Sequence, residues 1–411
     1  MIQYCANCCY PINHPLNITF NKENICSGCL IHQEKDQLNW TLRFNKLKKI
    51  VSTYRNFQKD KFDCIVPISG GKDSYFIVHI VKKILNLNPL LVNYNTHYNS
   101  EVGIRNLSYL KTKLGCAYFN LTISPKKIKK ITYTTLKKFG NIYWHCIAGQ
   151  TVFPVQIACK FNIPLIIWGA HQGIDQVGKF SHLDEVEMTR KYRKEHDLFN
   201  YEAEDLFRKS NLKKNDLNEF IYPDDNEIFN KGIRGIYLNN FIRWDTKKQH
   251  ELMIKKYNYE TMKLSRTFDS YNNIDCLHYA GLHDYFKYLK LGYSLITDHC
   301  SREIRLKRLT RNDAIKKIKI YRDNKVNNVN FFLKWIGLNY RELNYYFDKH
   351  RNTKIWEKIR NNWNLKNDIS EKKFNKEKVQ SYKKINFNSN SRKSKRIFIK
   401  KPILFGKGMD L

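Results

Sequence analysis

Between residues 63 and 168 short apolar runs alternate with longer amphipathic stretches. The runs Asp63-Cys64-Ile65-Val66-Pro67-Ile68, Pro89 to Tyr94, Ala117 to Leu121 and Pro164 to Trp168 read as strands. The stretches between them, 74–85, 102–114, 126–139 and 147–161, carry apolar residues at helical spacing. Such alternation predicts an α/β fold, a parallel sheet covered on both faces, with ligands at the carboxyl ends of the strands. Ser69, Asn93 to Asn95 and Gly169 to His171 fall at those ends.

Outside this block the pattern changes. Residues 33–61 form a polar helical connector, with Trp40, Leu42, Phe44, Leu47, Ile50, Val51 and Tyr54 near helical spacing. Beyond about Gly178 charged helices and aromatic loops replace the strands. Residues 306–311 and 312–321 fit helices separated by a cap, Thr310 with Asp313 three positions on. From Lys366 apolar periodicity lapses until Ile397 to Phe405, as in a flexible tail. The expected organisation is a cysteine module at 1–35, the connector at 36–60, the sheet domain at 61–180, a mostly helical substrate or partner region at 181–365, and a basic tail at 366–411.

Where the first strand meets its helix the chain reads Ser69-Gly70-Gly71-Lys72-Asp73-Ser74. Adjacent glycines admit close approach of an anion, and free N–H groups at a helix start favour negative charge. Lys72 adds a full positive charge. This is not a Walker A loop, because an aspartate follows the lysine where a Mg²⁺-binding Ser or Thr would stand. It resembles the pyrophosphate loop (PP-loop) of the ATP pyrophosphatases, whose members adenylate an oxygen and then let a nitrogen or sulfur nucleophile displace AMP. The competing reading is an ordinary glycine turn with a serine cap.

Cys5-x-x-Cys8 and Cys26-x-x-Cys29 stand 17 residues apart. Two such knuckles supply four thiolates for a closed, structural Zn²⁺ site, with Cys9 a spare neighbour. Net charge is +35, of which residues 366–411 carry +10 (14 Lys or Arg minus 4 Asp or Glu). The rest is spread through a sequence heavy in Lys, Asn and Ile, so charge does not by itself call for a nucleic acid, and a nucleotide-linked substrate is anionic too. No apolar run approaches a membrane span, and the amino terminus lacks a secretory pattern. These features predict a cytoplasmic protein whose eleven cysteines serve as ligands or buried thiols.

Three later segments are dense in reactive side chains: Tyr237 to Asp245, Asp275 to Tyr285, and Thr297 to Arg305. Singly each reads as surface or capping contacts; together they suggest one wall binding a polar, phosphorylated molecule. With the loop and the cysteines they resemble the N-acetyl sugar amidotransferases, relatives of the bacterial lipopolysaccharide and flagellin pseudaminic acid amidotransferases. The resemblance covers roughly residues 1–345. It is carried by Ser69 to Ser74, Trp244-Asp245, Gly281 to Tyr285, Thr297-Asp298-His299 and Arg302 to Arg311. Gly169 to Gly173 departs from the lipopolysaccharide branch, which leaves the sugar open.

The resemblance implies an adenine nucleotide alpha hydrolase-like fold with a zinc-ribbon-like module and a mostly helical carboxyl-terminal region. It implies ATP, Mg²⁺ and structural Zn²⁺ as cofactors. An acetamido oxygen of a sugar, expected to be nucleotide-linked, attacks the α-phosphorus, and ammonia displaces AMP to leave an acetamidino group. Ser69, Gly70, Gly71 and Ser74 would hold pyrophosphate, Lys72 would neutralise charge, and Asp73 would hold Mg²⁺ or brace the loop. Val92, Tyr94 and Gly169 would border the nucleotide. Asp298, His299 and Arg302 are candidates for binding or proton transfer. Ile2 in place of cysteine and the lack of a Gly-x-Cys-x-Gly elbow predict a separate glutaminase, resembling the glutaminase and cyclase pair of imidazole glycerol phosphate synthase. The rival is a tRNA thiolation enzyme, for which Cys146 and Cys159 are available but no cysteine follows Cys300; a third reading is a zinc-ribbon nucleic-acid adaptor.

Overall fold

The computed structural model describes residues 2–56 and 61–371. Most of the expected basic tail, including 397–405, lies outside the described residues. The centre is a five-stranded sheet of order β3-β2-β1-β4-β5. Its strands are β1 (Cys64–Pro67), β2 (Pro89–Tyr94), β3 (Ala117–Leu121), β4 (Leu165–Trp168) and β5 (Arg234–Tyr237), and every pairing is parallel. Both faces are covered, because β1, β2 and β4 are almost wholly apolar and buried along their length. One face packs Ile65, Leu90, Val92, Tyr94 and Ile166 beneath Trp144–Phe161; the other packs Val66, Leu91 and Ile167 beneath Lys72–Val78.

The helices that cross between strands match their expected positions within a few residues. Glu101–Leu114 begins on Ser100, whose hydroxyl accepts from Gly103 N–H, and stops on Gly115 in the left-handed conformation. The helix after the loop runs Lys72–Val78 and continues as a π-helical turn over His79–Ile84. The connector is two helices, Ser27–Gln37 and Trp40–Ser52.

Two expectations for the second half are corrected. The sheet does not end near residue 180: β5 pairs in register with β4, from Leu165 opposite Arg234 to Trp168 opposite Tyr237. Its four residues, Arg-Gly-Ile-Tyr, are too short and too mixed to announce a strand outside the sheet that receives them. Residues 306–311 are likewise no helix. The helix lies earlier, at Leu295–Arg305, and Thr310 caps a new one, Arg311–Arg322, by accepting from Asp313 N–H. A hairpin, β6 (Trp356–Ile359) with β7 (Asn362–Leu365), interrupts the otherwise helical carboxyl-terminal region. None of the helices among the described residues is long and apolar enough to cross a membrane.

The carboxyl-terminal region touches the sheet domain at the start of Glu101–Leu114. Asn99 bridges Cys276, Ser100 N–H donates to Asp275 O at 3.1 Å, and Leu277 N–H donates to Tyr98 O at 2.7 Å. Gly103 is squeezed there, since a β-carbon on it would stand 2.5 Å from Asp275 Cα. Gly103→Ala should therefore lose about 1–3 kcal/mol of stability, read by chemical denaturation; an unchanged midpoint would show that the 275 segment yields freely.

Candidate functional site

The loop between β1 and its helix has the geometry of an anion cradle. Gly70 takes φ +87° and packs on Gly103 and Leu107, so no side chain fits there. Ser69 N–H donates to Ser74 Oγ at 3.0 Å, and Gly71 N–H to Ser69 Oγ at 3.3 Å, which closes the loop on itself. Lys72 is buried at 5% exposure and its ammonium meets Asp73 at 2.5 Å, while Asp73 stays half-open.

Sequence reading missed the carboxylate that faces this loop. Asp275 hydrogen-bonds Ser69; burial pushes its carboxyl above the ordinary range, against the lowering effect of that bond and of Lys72. Asp275 and Asp73 both lie within electrostatic reach of Lys72. Two carboxylates beside a phosphate cradle form a donor set that fits Mg²⁺. The signal was present in Asp275-Cys276, but only the fold carries that segment to the loop, some 200 residues back along the chain.

The loop opens on a cavity of about 910 Å³, lined by Lys72 and Asp73 and also by Trp244, Asp298, His299 and Arg302. The three candidates of the carboxyl-terminal region are thus brought to the same cavity as the loop. Burial works against the Asp298 carboxylate, but the Lys287 ammonium on its Oδ2 holds its pKa below the ordinary value, and Gln176 donates to Oδ1 at 3.2 Å. His299 Nδ1 meets Thr267 Oγ1 at 2.7 Å. Arg302 is spread between Asp269 at 2.9 Å and Glu303 at 2.8 Å, and Arg308 joins Glu303 to Asp245. Asp298 and Arg302 therefore sit in ion pairs and fit a binding wall; His299 remains the member of the three able to move a proton.

Val92 and Tyr94 do not border the cavity. Alternation along β2 turns both side chains into the core, where Tyr94 packs on Gly149 and its hydroxyl meets His145 Nδ1 at 3.2 Å. Gly169 is wedged against Ile77 and Trp244, which leaves only its backbone for a ligand. Cys146 and Cys159, which a thiolation enzyme would require, are buried and do not line the cavity.

The four knuckle cysteines converge as expected. Their Sγ atoms lie within 4.8 Å of one another, with Cys5–Cys29 at 3.9 Å, Cys8–Cys26 at 3.6 Å and Cys26–Cys29 at 3.5 Å. Zinc thiolate bonds of about 2.3 Å in a tetrahedron require sulfurs about 3.8 Å apart. All four are buried, and N–H donors from Cys8, Cys26 and Asn7 point at the sulfurs. Arg305 reaches Cys26 Sγ at 3.3 Å, and Arg311 donates to the carbonyls of Cys5 and Cys8. The donor set fits Zn²⁺ with no open position.

Residues 265–370 match the family model of the LPS biosynthesis protein WbpG-like, C-terminal domain. The carboxyl-terminal region is WbpG-like. Over those residues the lipopolysaccharide-biosynthesis resemblance drawn above from sequence is borne out. A relative, the uncharacterized protein MJ1599 of Methanocaldococcus jannaschii, is 31% identical over 105 residues, which are 25% of this chain and 36% of that protein. Among solved structures, the NH3-dependent NAD synthetase of Campylobacter jejuni aligns at TM-score 0.28 and 13% identity over 44% of this chain and 92% of that one. The NMN synthetase of Francisella tularensis aligns at 0.27 and 14% over 53% and 87%. The fold assignment rests on the sheet order and the loop of this chain itself.

Burial holds the imidazoles of His145, His171 and His283 down to about 3 and that of His299 to about 4. Unfolded histidines bind protons near pH 6.5, so the unfolded chain takes up protons first as pH falls. Stability should be full above about pH 6.5 and decline steadily from there towards about pH 4. Denaturation midpoints at stepped pH, with metal content checked at each step, test this; a flat profile would show that these rings take up protons in the fold as readily as in the unfolded chain.

Proposed function

We propose that the chain is an ATP-dependent amidotransferase that converts the N-acetyl group of a sugar into an acetamidino group, for bacterial surface polysaccharide or flagellin glycans. The supporting observation is the shared cavity, in which the pyrophosphate loop and Asp298, His299 and Arg302 of the WbpG-like region face one volume. The acetamido oxygen attacks the α-phosphorus of ATP, and the α–β bridging oxygen leaves with pyrophosphate. Ammonia adds to the resulting imidate carbon, and AMP departs with the former amide oxygen. Protons released by ammonia pass to solvent, with His299 as the relay on the cavity wall.

An amide carbon is a poor electrophile, and adenylation supplies the leaving group that makes substitution possible. The N–H groups at Gly70 and Gly71 and the Lys72 ammonium stabilise charge on the departing pyrophosphate. Asp73 and Asp275 would hold Mg²⁺, which would offset charge on the phosphates. A separate glutaminase, of the kind paired with a cyclase in imidazole glycerol phosphate synthase, supplies ammonia, and nucleic acid takes no part. The working compartment is the cytoplasm, where ATP and activated sugars are found.

The test is incubation of the protein with ATP, ammonium and N-acetyl sugars in free, UDP-linked and CMP-linked form. AMP and pyrophosphate should appear in step with a sugar lighter by about one mass unit, and Lys72→Ala should slow turnover about 10²–10³-fold. Glutamine should replace ammonium only when a glutaminase is added. Stimulation by bulk tRNA in place of sugar would overturn the assignment in favour of thiolation.

A further inference from the structure

Among the buried polar atoms of the cavity wall that lack a hydrogen-bond partner, two belong to rings that stack on each other. His14, from the segment between the cysteine knuckles, lines it at 4% exposure, and Tyr293 of the WbpG-like region lines it at 3%. Leu16 N–H donates to His14 Nδ1 at 3.2 Å, so the neutral ring carries its proton on Nε2. That Nε2 and the Tyr293 hydroxyl are both buried without a partner. The two rings stack at 5.5 Å and 26°, so the donors belong to one patch. Asn13 donates to Leu291 O at 3.0 Å and fixes the segment on the helix Asp284–Leu291. A buried donor without an acceptor is costly, and two side by side mark a place where an acceptor arrives.

The charges around the patch indicate which acceptor. Lys287 lies 4.5 Å over the Tyr293 ring, but its ammonium is neutralised by Asp298. Lys290, also on the cavity wall, is not neutralised. It donates to the carbonyls of Gly140 at 3.1 Å and Phe139 at 3.4 Å, and no carboxylate pairs with it among the described residues. Burial pushes its amine down to about 8 with no opposing effect. Lys290 and Lys287 both bear on His283, which joins them to the same stretch of wall. A desolvated ammonium and two unpaired neutral donors on the wall of one cavity suit an anion with several oxygens.

We propose that His14, Tyr293 and Lys290 form a subsite for an anionic oxygen group carried by the sugar substrate, a phosphate or a carboxylate. The metal-binding module thereby supplies a wall of the substrate site in addition to its structural role. The proposal rests on the sugar amidotransferase reading for the identity of the molecule that carries the anion, and its test is one of binding, independent of turnover.

Calorimetric titration of the full-length, zinc-loaded protein with UDP-N-acetylglucosamine, N-acetylneuraminate and neutral N-acetylglucosamine separates the cases. One anionic probe should bind at least about tenfold more tightly than the neutral sugar, the diphosphate or the carboxylate arm identifying the source. Tyr293→Phe, which removes only a hydroxyl, and Lys290→Met should each weaken that probe about tenfold, with the Kd for ATP and the zinc content unchanged. Equal binding of the neutral sugar, binding of neither anionic probe, or variants that weaken ATP instead would overturn the subsite. Normal titrations without amidine formation would overturn the catalytic reading and leave the subsite standing.

Discussion

A divalent metal held by the four buried knuckle cysteines as thiolates would leave two negative charges in the interior, and the surroundings are arranged to tolerate them. Backbone and Asn7 N–H groups face the sulfurs, and Arg305 supplies a buried cation at 3.3 Å from Cys26 Sγ. The same guanidinium donates to Gln176 O at 2.5 Å, and Ser27 Oγ donates to Val177 O at 2.5 Å. The amino-terminal module, the segment after β4 and the helix Leu295–Arg305 thus meet at one electrostatic junction. Lys35 extends it, fully buried between Asp175 and Trp244 O. Removing any one of these partners leaves a desolvated charge, which is why the three regions hold a common geometry around the cavity.

A second junction lies at the phosphate cradle. Gly70 and Gly103 admit backbone contacts closer than any side chain would allow, and through them the 275 segment lies against the loop. The carboxylate delivered there is held by Ser69, a residue of the loop itself. The loop and the carboxyl-terminal region are therefore built around each other and share contacts at the level of single atoms.

Much of this was legible in the sequence. A strand buried on both faces announces itself as an apolar run, as β2 does, and the edge strand β3 also occurs where its run places it. The cysteine spacing and the loop hexapeptide depend on local geometry, so they too could be read directly. What could not be read depends on long-range placement. Arg234–Tyr237 becomes a strand because a sheet edge is waiting for it. Val92 and Tyr94 fall on the core side of β2, and strand phase relative to a ligand is not written in hydrophobicity alone. Asp275 opens a segment whose composition marks it, but its place against the loop, like that of His14 on the cavity wall, is set by tertiary contacts.

The late arrival of β5 has a consequence for how such a protein can be divided. The chain leaves the sheet at Trp168, runs through more than sixty residues of irregular helices, and returns to add the edge strand before entering the WbpG-like region. A cut at the apparent end of the nucleotide domain would strip away that strand and expose the backbone of β4 to any passing partner. Any division of the chain that keeps the sheet whole must accordingly keep residues 64–237 together.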